Sequence, residues 1–382
     1  MDFASQLAAI DAAGLYRRRL VTETPQSIWL QVGSERLLSF CSNDYLGLAN
    51  HPQVVAALQA GAEQYGVGAG ASHLITGHSR VHEALEAELA DFVGSERALL
   101  FSTGYMANLG VVSALARRHM PIFEDRLNHA SLIDAVRLTR ARSRRYPHGD
   151  VEQLQRLLAD SARESLIVTD AVFSMDGDLA SLPALHALAQ RHGSWLLADD
   201  AHGFGVLGDV GRGSLEFVGL RPAGRLLLMG TLGKALGTFG AFVAGDADLI
   251  EFLVQRARTY TYTTALPPAI AAATRVSLQL IRAEPWRRAH LAALVTRFRA
   301  GAAQMGLKLT ASTTPIQPLI IGDTAAAVTA AAHLRAAGIL VPAIRPPTVP
   351  SGSARLRVTF SAAHEATHVD RLLRALSEAC RA

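Results

Sequence analysis

A chain of 382 residues exceeds one ordinary core and predicts two or more domains. With 49% hydrophobic and 18% charged residues, it has too little polarity for disorder over most of its length. A formal charge of +4, from 37 basic and 33 acidic residues, is too small and too scattered for a nucleic-acid footprint.

In chain order, the stretch from Met1 to Leu20 reads as an amphipathic helix without the basic start and cleavage site of a signal peptide. Leu37 to Ser42 looks like a strand, and Pro52 to Tyr65 and Val81 to Val93 are helical by apolar spacing. From Ala98 a strand-and-helix alternation begins. Its strands are Ala98 to Phe101, Leu166 to Thr169, Trp195 to Ala198, Leu226 to Met229 and Ala241 to Ala244, and it predicts a mostly parallel sheet covered on both faces. Arg140, Arg142, Arg144 and Arg145 form the densest basic cluster and read as solvated surface rather than an RNA patch. Helices near Ala247 to Arg258 and Ala269 to Ile281 close this region, and the remainder suggests a smaller α+β domain. The expected division is therefore an arm over 1–45, a large domain over 46–283 and a small one over 284–382. No run reaches the roughly 18 to 20 apolar residues of a membrane span; even Thr264 to Ile281 is broken by Pro267, Pro268 and Arg275. Cys41 and Cys380 supply neither a disulfide framework nor a four-ligand zinc site, so no metal is expected, and reduced thiols point to the cytoplasm.

The basic residues hold a sharper signal. Only Lys234 and Lys308 are lysines; the other 35 are arginines. A position that must lose its proton cannot accept arginine, so Lys234 draws attention before any motif does. It follows the strand Leu226 to Met229 in Gly230-Thr231-Leu232-Gly233-Lys234, where an apolar pocket would disfavour its charged form and suit it to Schiff-base chemistry. The preceding strand, Trp195 to Ala198, delivers Asp199, Asp200 and His202 to the same sheet edge, where open α/β sheets bind ligands. A carboxylate there can pair with a protonated ring nitrogen. Ser102-Thr103-Gly104-Tyr105-Met106-Ala107-Asn108 offers a phosphate cradle where a strand hands over to a helix, and His129 opens another helix where its ring can stack. Gly203 to Gly208 spells a G-x-G-x-x-G after a strand, but glycine-rich loop follows instead of a helix, so a dinucleotide site is rejected.

Taken with Ser42-Asn43-Asp44-Tyr45-Leu46-Gly47-Leu48, His129-Ala130-Ser131, Phe173 to Gly177, Asp199 to Gly203, Thr231 to Lys234 and Ile344 to Pro350, the chain resembles the α-oxoamine synthases. These pyridoxal-phosphate enzymes condense an amino acid with an acyl thioester and release carbon dioxide. The resemblance implies an α/β, aminotransferase-like fold (fold type I) with a large mostly parallel sheet domain and a smaller C-terminal α+β domain. It makes Lys234 the Schiff-base lysine, Asp199 the ring-nitrogen partner, His202 and Ser174 contacts on the ring-hydroxyl side, and His129 the stacking ring. Gly104, Tyr105 and Thr231 fall near the phosphate, and Thr264 reaches the cofactor phosphate of the second subunit of a homodimer. Arg345 holds the amino-acid carboxylate, Thr348 lies near the substrate, and Arg17 with Asn43 lines the acyl pocket.

The closest pattern within the family implies L-alanine and a pimeloyl thioester, carried on coenzyme A or acyl carrier protein. A sister condensation such as glycine with acetyl-CoA, and a non-condensing aminotransferase, are the competing readings. Asp170-Ala171 departs from the expected Glu-Gly or Glu-Ser and leaves a second contact around the site open, as does Ala71 in a stretch usually richer in glycine.

Overall fold

The computed structural model describes residues 1–116, 120–161 and 164–380. They form two compact units, residues 44–174 with 178–289 and residues 1–43 with 175–177 and 290–382.

The larger unit is built on seven strands. In spatial order they are Arg97–Phe101, Ala241–Gly245, Leu226–Thr231, Trp195–Asp199, Leu166–Asp170, Ile122–Asp125 and Ser143–Tyr146. The last five run parallel, and only Ala241–Gly245 opposes its neighbours. Leu166–Asp170 and Ala241–Gly245 are buried at every position, which is why they read as continuous apolar runs rather than as alternating ones. The helices Gly104–Leu115 and Ala130–Thr139 cover one face, where Val111, Val112, Leu132 and Val136 share a core with Leu99, Val168, Leu197 and Leu227 of the strands. Each such leucine, fully buried, contributes about 1.5–3 kcal/mol of transfer free energy. The helices Pro52–Tyr65 and Pro268–Ala283 pack closely at Gly61, where a Cβ would sit 3.0 Å from Ala269 Cα and Ala272 Cβ.

Ser143–Tyr146 carries no apolar run. It is one of the two edge strands and holds part of the arginine cluster: Arg145 pairs with buried Glu124 at 3.0 Å and Arg144 reaches Asp160 at 4.0 Å. Arg144 and Arg145 are thus charged edge-strand surface, of the kind that blocks further strand pairing, while Arg140 caps the helix Ala130–Thr139 and Arg142 precedes the strand.

The smaller unit has two three-stranded sheets. Ile316–Gly322, Ala354–Thr359 and Ala343–Ile344 form one; Trp29–Val32, Glu35–Ser39 and Ile339–Leu340 form the other. The pairing of Glu35–Ser39 with Ile339–Leu340 carries residues 1–43 into this unit, so the expected arm over 1–45 does not stand apart. Phe40, Phe298, Phe360 and His364 form its aromatic centre, with the Phe40 and His364 rings stacked 4.4 Å apart and burial pushing the His364 imidazole down to about 4. The first helix is Phe3–Ala12, capped by Asp2 and without a buried residue; it ends well before Leu20. No helix among the described residues is long and apolar enough to cross a membrane.

Candidate active site

The carboxyl ends of the parallel strands assemble the site in the larger unit. Asp199 ends its strand and is 3% exposed. Its Oδ1 accepts the Ala201 amide at 3.0 Å and its Oδ2 accepts the Asn108 amide at 2.7 Å. Asn108 also donates to Ser131 Oγ at 2.8 Å, and Ser131 Oγ lies 2.8 Å from His129 Nδ1. One buried amide thus ties the Asp199 carboxylate to the helix start that carries His129. Asn108 Oδ1 is buried without a protein partner among the described residues.

Burial holds the His129 imidazole below its ordinary pKa, with Asp199 opposing that shift and Lys234 adding to it, so all three lie within electrostatic reach. A neutral ring is the state suited to stacking on a flat partner. Asp170, the departure seen in the sequence, accepts the His129 backbone N–H at 2.6 Å. Full burial and the neighbouring Asp199 charge raise its carboxyl well above the usual range. The aspartate therefore positions the backbone of His129.

Lys234 is half-buried in a turn following Leu226–Thr231, with Nζ 2.8 Å from His202 Nε2. The other nitrogen of His202 lies 2.7 Å from the Tyr45 hydroxyl. Asp200, beside Asp199, turns away into the interior, where both its oxygens are taken by the Ser214 amide and hydroxyl; burial pushes its carboxyl up to about 7. A Cβ on Gly213 would overlap Asp200 Oδ2, and its φ of +102° is one that side chains avoid. The glycine-rich loop after the rejected G-x-G-x-x-G is therefore shaped around Asp200. The next helix is the short Ser214–Phe217, which leaves no helix N-terminus for a pyrophosphate.

Thr103 caps the helix Gly104–Leu115 through the Met106 amide, and a Cβ on Gly104 would meet only the Met229 side chain, at 3.6 Å and beyond. Packing does not demand this glycine; the open ground beside it suits an anion at the helix start. Tyr105 is 42% exposed and its hydroxyl binds Asp134. Thr231 Oγ1 donates to the Gly240 carbonyl at 3.1 Å. Thr264 bridges to Ser72, and its carbonyl accepts from Ser102 Oγ at 3.3 Å, beside the same helix start. Ser174 is half-buried after Phe173.

The remaining expected residues gather in the smaller unit. Arg17 Nη2 donates to Thr348 Oγ1 at 3.4 Å, Arg345 Nη2 donates to the Tyr16 carbonyl at 3.0 Å, and Arg357 reaches Asn43 Oδ1 at 3.4 Å. Two guanidiniums thus converge on the 16–17 segment and the 345–348 turn. Tyr45, Asn108 and Arg357 are the contacts the sequence reading missed. Tyr45 and Asn108 stood inside quoted stretches without a role of their own, whereas Arg357 carried no local signal.

A lysine amine, a buried carboxylate for a ring nitrogen, a neutral imidazole and an open helix start together fit pyridoxal phosphate, and the fold with this site defines a pyridoxal-phosphate enzyme of fold type I. The family described as aminotransferase class I and II matches residues 35–376. The chain is 59% identical over 377 residues to 8-amino-7-oxononanoate synthase from Stutzerimonas stutzeri, covering 99% of this chain and 96% of that protein. It is also 59% identical over 379 residues to the synthase of the same name from Methylococcus capsulatus, covering 99% and 98%. Among solved structures, serine palmitoyltransferase from Sphingomonas wittichii matches with a TM-score of 0.93 at 32% identity, covering 99% of this chain and 96% of that one. The Francisella tularensis 8-amino-7-oxononanoate synthase matches with a TM-score of 0.78 at 31% identity, covering 90% and 97%. The chain belongs to the class I and II aminotransferase family and, within it, to the α-oxoamine synthases. Its cofactor is pyridoxal 5'-phosphate.

Proposed function

We propose that the chain is an 8-amino-7-oxononanoate synthase of biotin biosynthesis, joining L-alanine to a pimeloyl thioester with loss of carbon dioxide and release of the thiol. The observation that carries this reading is 59% identity across essentially the whole chain to synthases of that name from separate genera. Pyridoxal phosphate supplies an electron sink for the carbanion formed at the alanine Cα.

The chain's own residues do the rest. Lys234 Nζ would hold the cofactor covalently, and its free amine is the base placed to take the alanine Cα proton and to return one. Asp199, fixed by Asn108 and the Ala201 amide, would pair with the cofactor's ring nitrogen and hold a proton there. His129 offers a neutral ring face. Arg345 binds the alanine carboxylate in a two-point fork until it leaves as carbon dioxide. Arg17 and Asn43 receive the distal end of the acyl chain, with Thr348 beside them. Ser174 and His202 serve the ring-hydroxyl side; Gly104, Tyr105 and Thr231 serve the phosphate.

A homodimer belongs to the same proposal, with Thr264 reaching the partner's cofactor phosphate, as does a cytoplasmic reaction whose acyl donor is coenzyme A or acyl carrier protein. The TM-score of 0.93 with serine palmitoyltransferase favours one second reading, a sister condensation with serine and a longer acyl chain. A panel of amino acids and acyl thioesters, followed by released thiol and carbon dioxide, decides between them: alanine with pimeloyl thioester is expected to be the fastest pair. A faster serine or glycine pair overturns the assignment.

A further inference from the structure

The Asp44 to Ala49 turn is held with more care than a surface turn needs. Asp44 accepts the Leu48 and Ala49 amides at 2.8 and 3.2 Å. Arg287, paired with Glu284 at 2.6 Å, donates to the Leu46 carbonyl at 2.9 Å. Gly237, whose amide donates to the Lys234 carbonyl at 2.9 Å, lies so close that a Cβ would overlap Ala49 N, so this turn and the lysine turn are in contact. What this platform presents is Tyr45, fully buried, with its hydroxyl 2.7 Å from His202 Nδ1. His202 Nε2 lies 2.8 Å from Lys234 Nζ, so the imidazole is in hydrogen-bond contact with the phenol on one side and the reactive nitrogen on the other.

A neutral imidazole has one donor and one acceptor nitrogen, and which is which depends on its neighbours. While Lys234 is an ammonium, it donates to Nε2, and Nδ1–H must find an acceptor. When Lys234 is a free amine, Nε2–H donates to it, and Nδ1 must find a donor. A hydroxyl is both. We propose that Tyr45 is a positioning residue that keeps His202 paired in both tautomers, so that the imidazole follows the Lys234 amine as it takes up and releases the Cα proton. The proposal rests on Lys234 as the proton-carrying amine and not on the identity of the acyl chain.

Phenylalanine preserves the ring's packing and removes only the hydroxyl. In Tyr45→Phe holoenzyme, the pH midpoint of the visible absorbance of the cofactor–lysine bond is expected to move by about one unit. The kcat is expected to fall about tenfold or more, with the KM for each substrate within about threefold of wild type. Because Tyr45 acts through His202, the same substitution in a His202→Gln background should add little to either change. A Tyr45→Phe midpoint equal to that of wild type, or a Tyr45 effect of full size in the His202→Gln background, overturns the proposal. The absorbance titration needs no acyl donor, so it reports on Tyr45 even if the donor panel rejects the pimeloyl assignment.

Discussion

Asn108 donates to the Asp199 carboxylate across 2.7 Å although 91 residues separate them. The same amide reaches Ser131, so the orientation of Asp199 and that of the His129 helix start depend on one side chain. Asn108→Ala leaves a buried carboxylate oxygen short of a donor, a loss of about 1–3 kcal/mol. Apoenzyme of this variant is expected to bind pyridoxal phosphate about tenfold to a hundredfold more weakly, read by cofactor titration. Unchanged affinity would show that the Ala201 amide alone holds Asp199.

Lys234→Ala should abolish turnover while the protein stays folded and still takes up the cofactor reversibly. Lys234→Arg should fail equally, because a guanidinium does not lose its proton to become a nucleophile. Borohydride treatment followed by mass spectrometry checks this: wild type gains the cofactor mass on the Lys234 peptide, and neither variant gains it anywhere.

Much of this site is legible in the sequence, for a physical reason. Lys234 stood out because arginine replaces lysine nearly everywhere else, and the strands Leu166–Asp170, Trp195–Asp199 and Leu226–Thr231 declared themselves because burial on both faces demands unbroken apolar runs. Ser143–Tyr146 went unread as a strand because an edge strand can be Ser-Arg-Arg-Tyr, a sequence that reads as surface. Asn108 and Tyr45 were unreadable as partners because hydrogen bonds across 91 and 157 residues leave no spacing signal. Residues 1–45 read as a separate arm for the same reason: their pairing strand, Ile339–Leu340, is two residues long and about three hundred residues away in the chain.

Glu86 gives the fold a pH dependence of definite sign. Its carboxylate accepts the Leu100 amide at 2.8 Å, yet burial pushes its pKa up to about 8 from an ordinary 4.5. Between those values the folded chain keeps a proton that the unfolded chain gives up, so stability is full below about pH 4.5 and declines as pH rises to about 8. Glu86→Gln, which mimics the protonated acid, is expected to remove this slope and to be more stable than wild type at pH 8 by about 2–4 kcal/mol. Urea midpoints from pH 5 to 8 measure it; parallel curves for the two proteins would mean that Glu86 is ionised in the fold.

Arg17 carries the prediction on which substrate choice turns. Three consecutive arginines after a helix are ordinarily explained by the negative potential at its C-terminus. The helix Phe3–Ala12 ends five residues before Arg17 and has no basic residue in its last turn, so that explanation does not reach it. Arg17 instead lies against Thr348 at 3.4 Å, while Arg345 grips the Tyr16 carbonyl next to it. Two guanidiniums brought together suit a substrate pair with two carboxylates, one on the amino acid and one at the far end of the acyl chain. Arg17→Ala should therefore raise the KM for pimeloyl thioester about tenfold to a hundredfold, the worth of one charge-assisted pair, and leave alanine binding nearly unchanged. Arg345→Ala should do the reverse. The control is a thioester of equal length ending in methyl: wild type should discriminate against it, and Arg17→Ala should discriminate little, because the carboxylate then has no guanidinium to meet. Equal use of both donors by wild type would remove the distal carboxylate from recognition and move the chain toward a sister condensation with an uncharged acyl group.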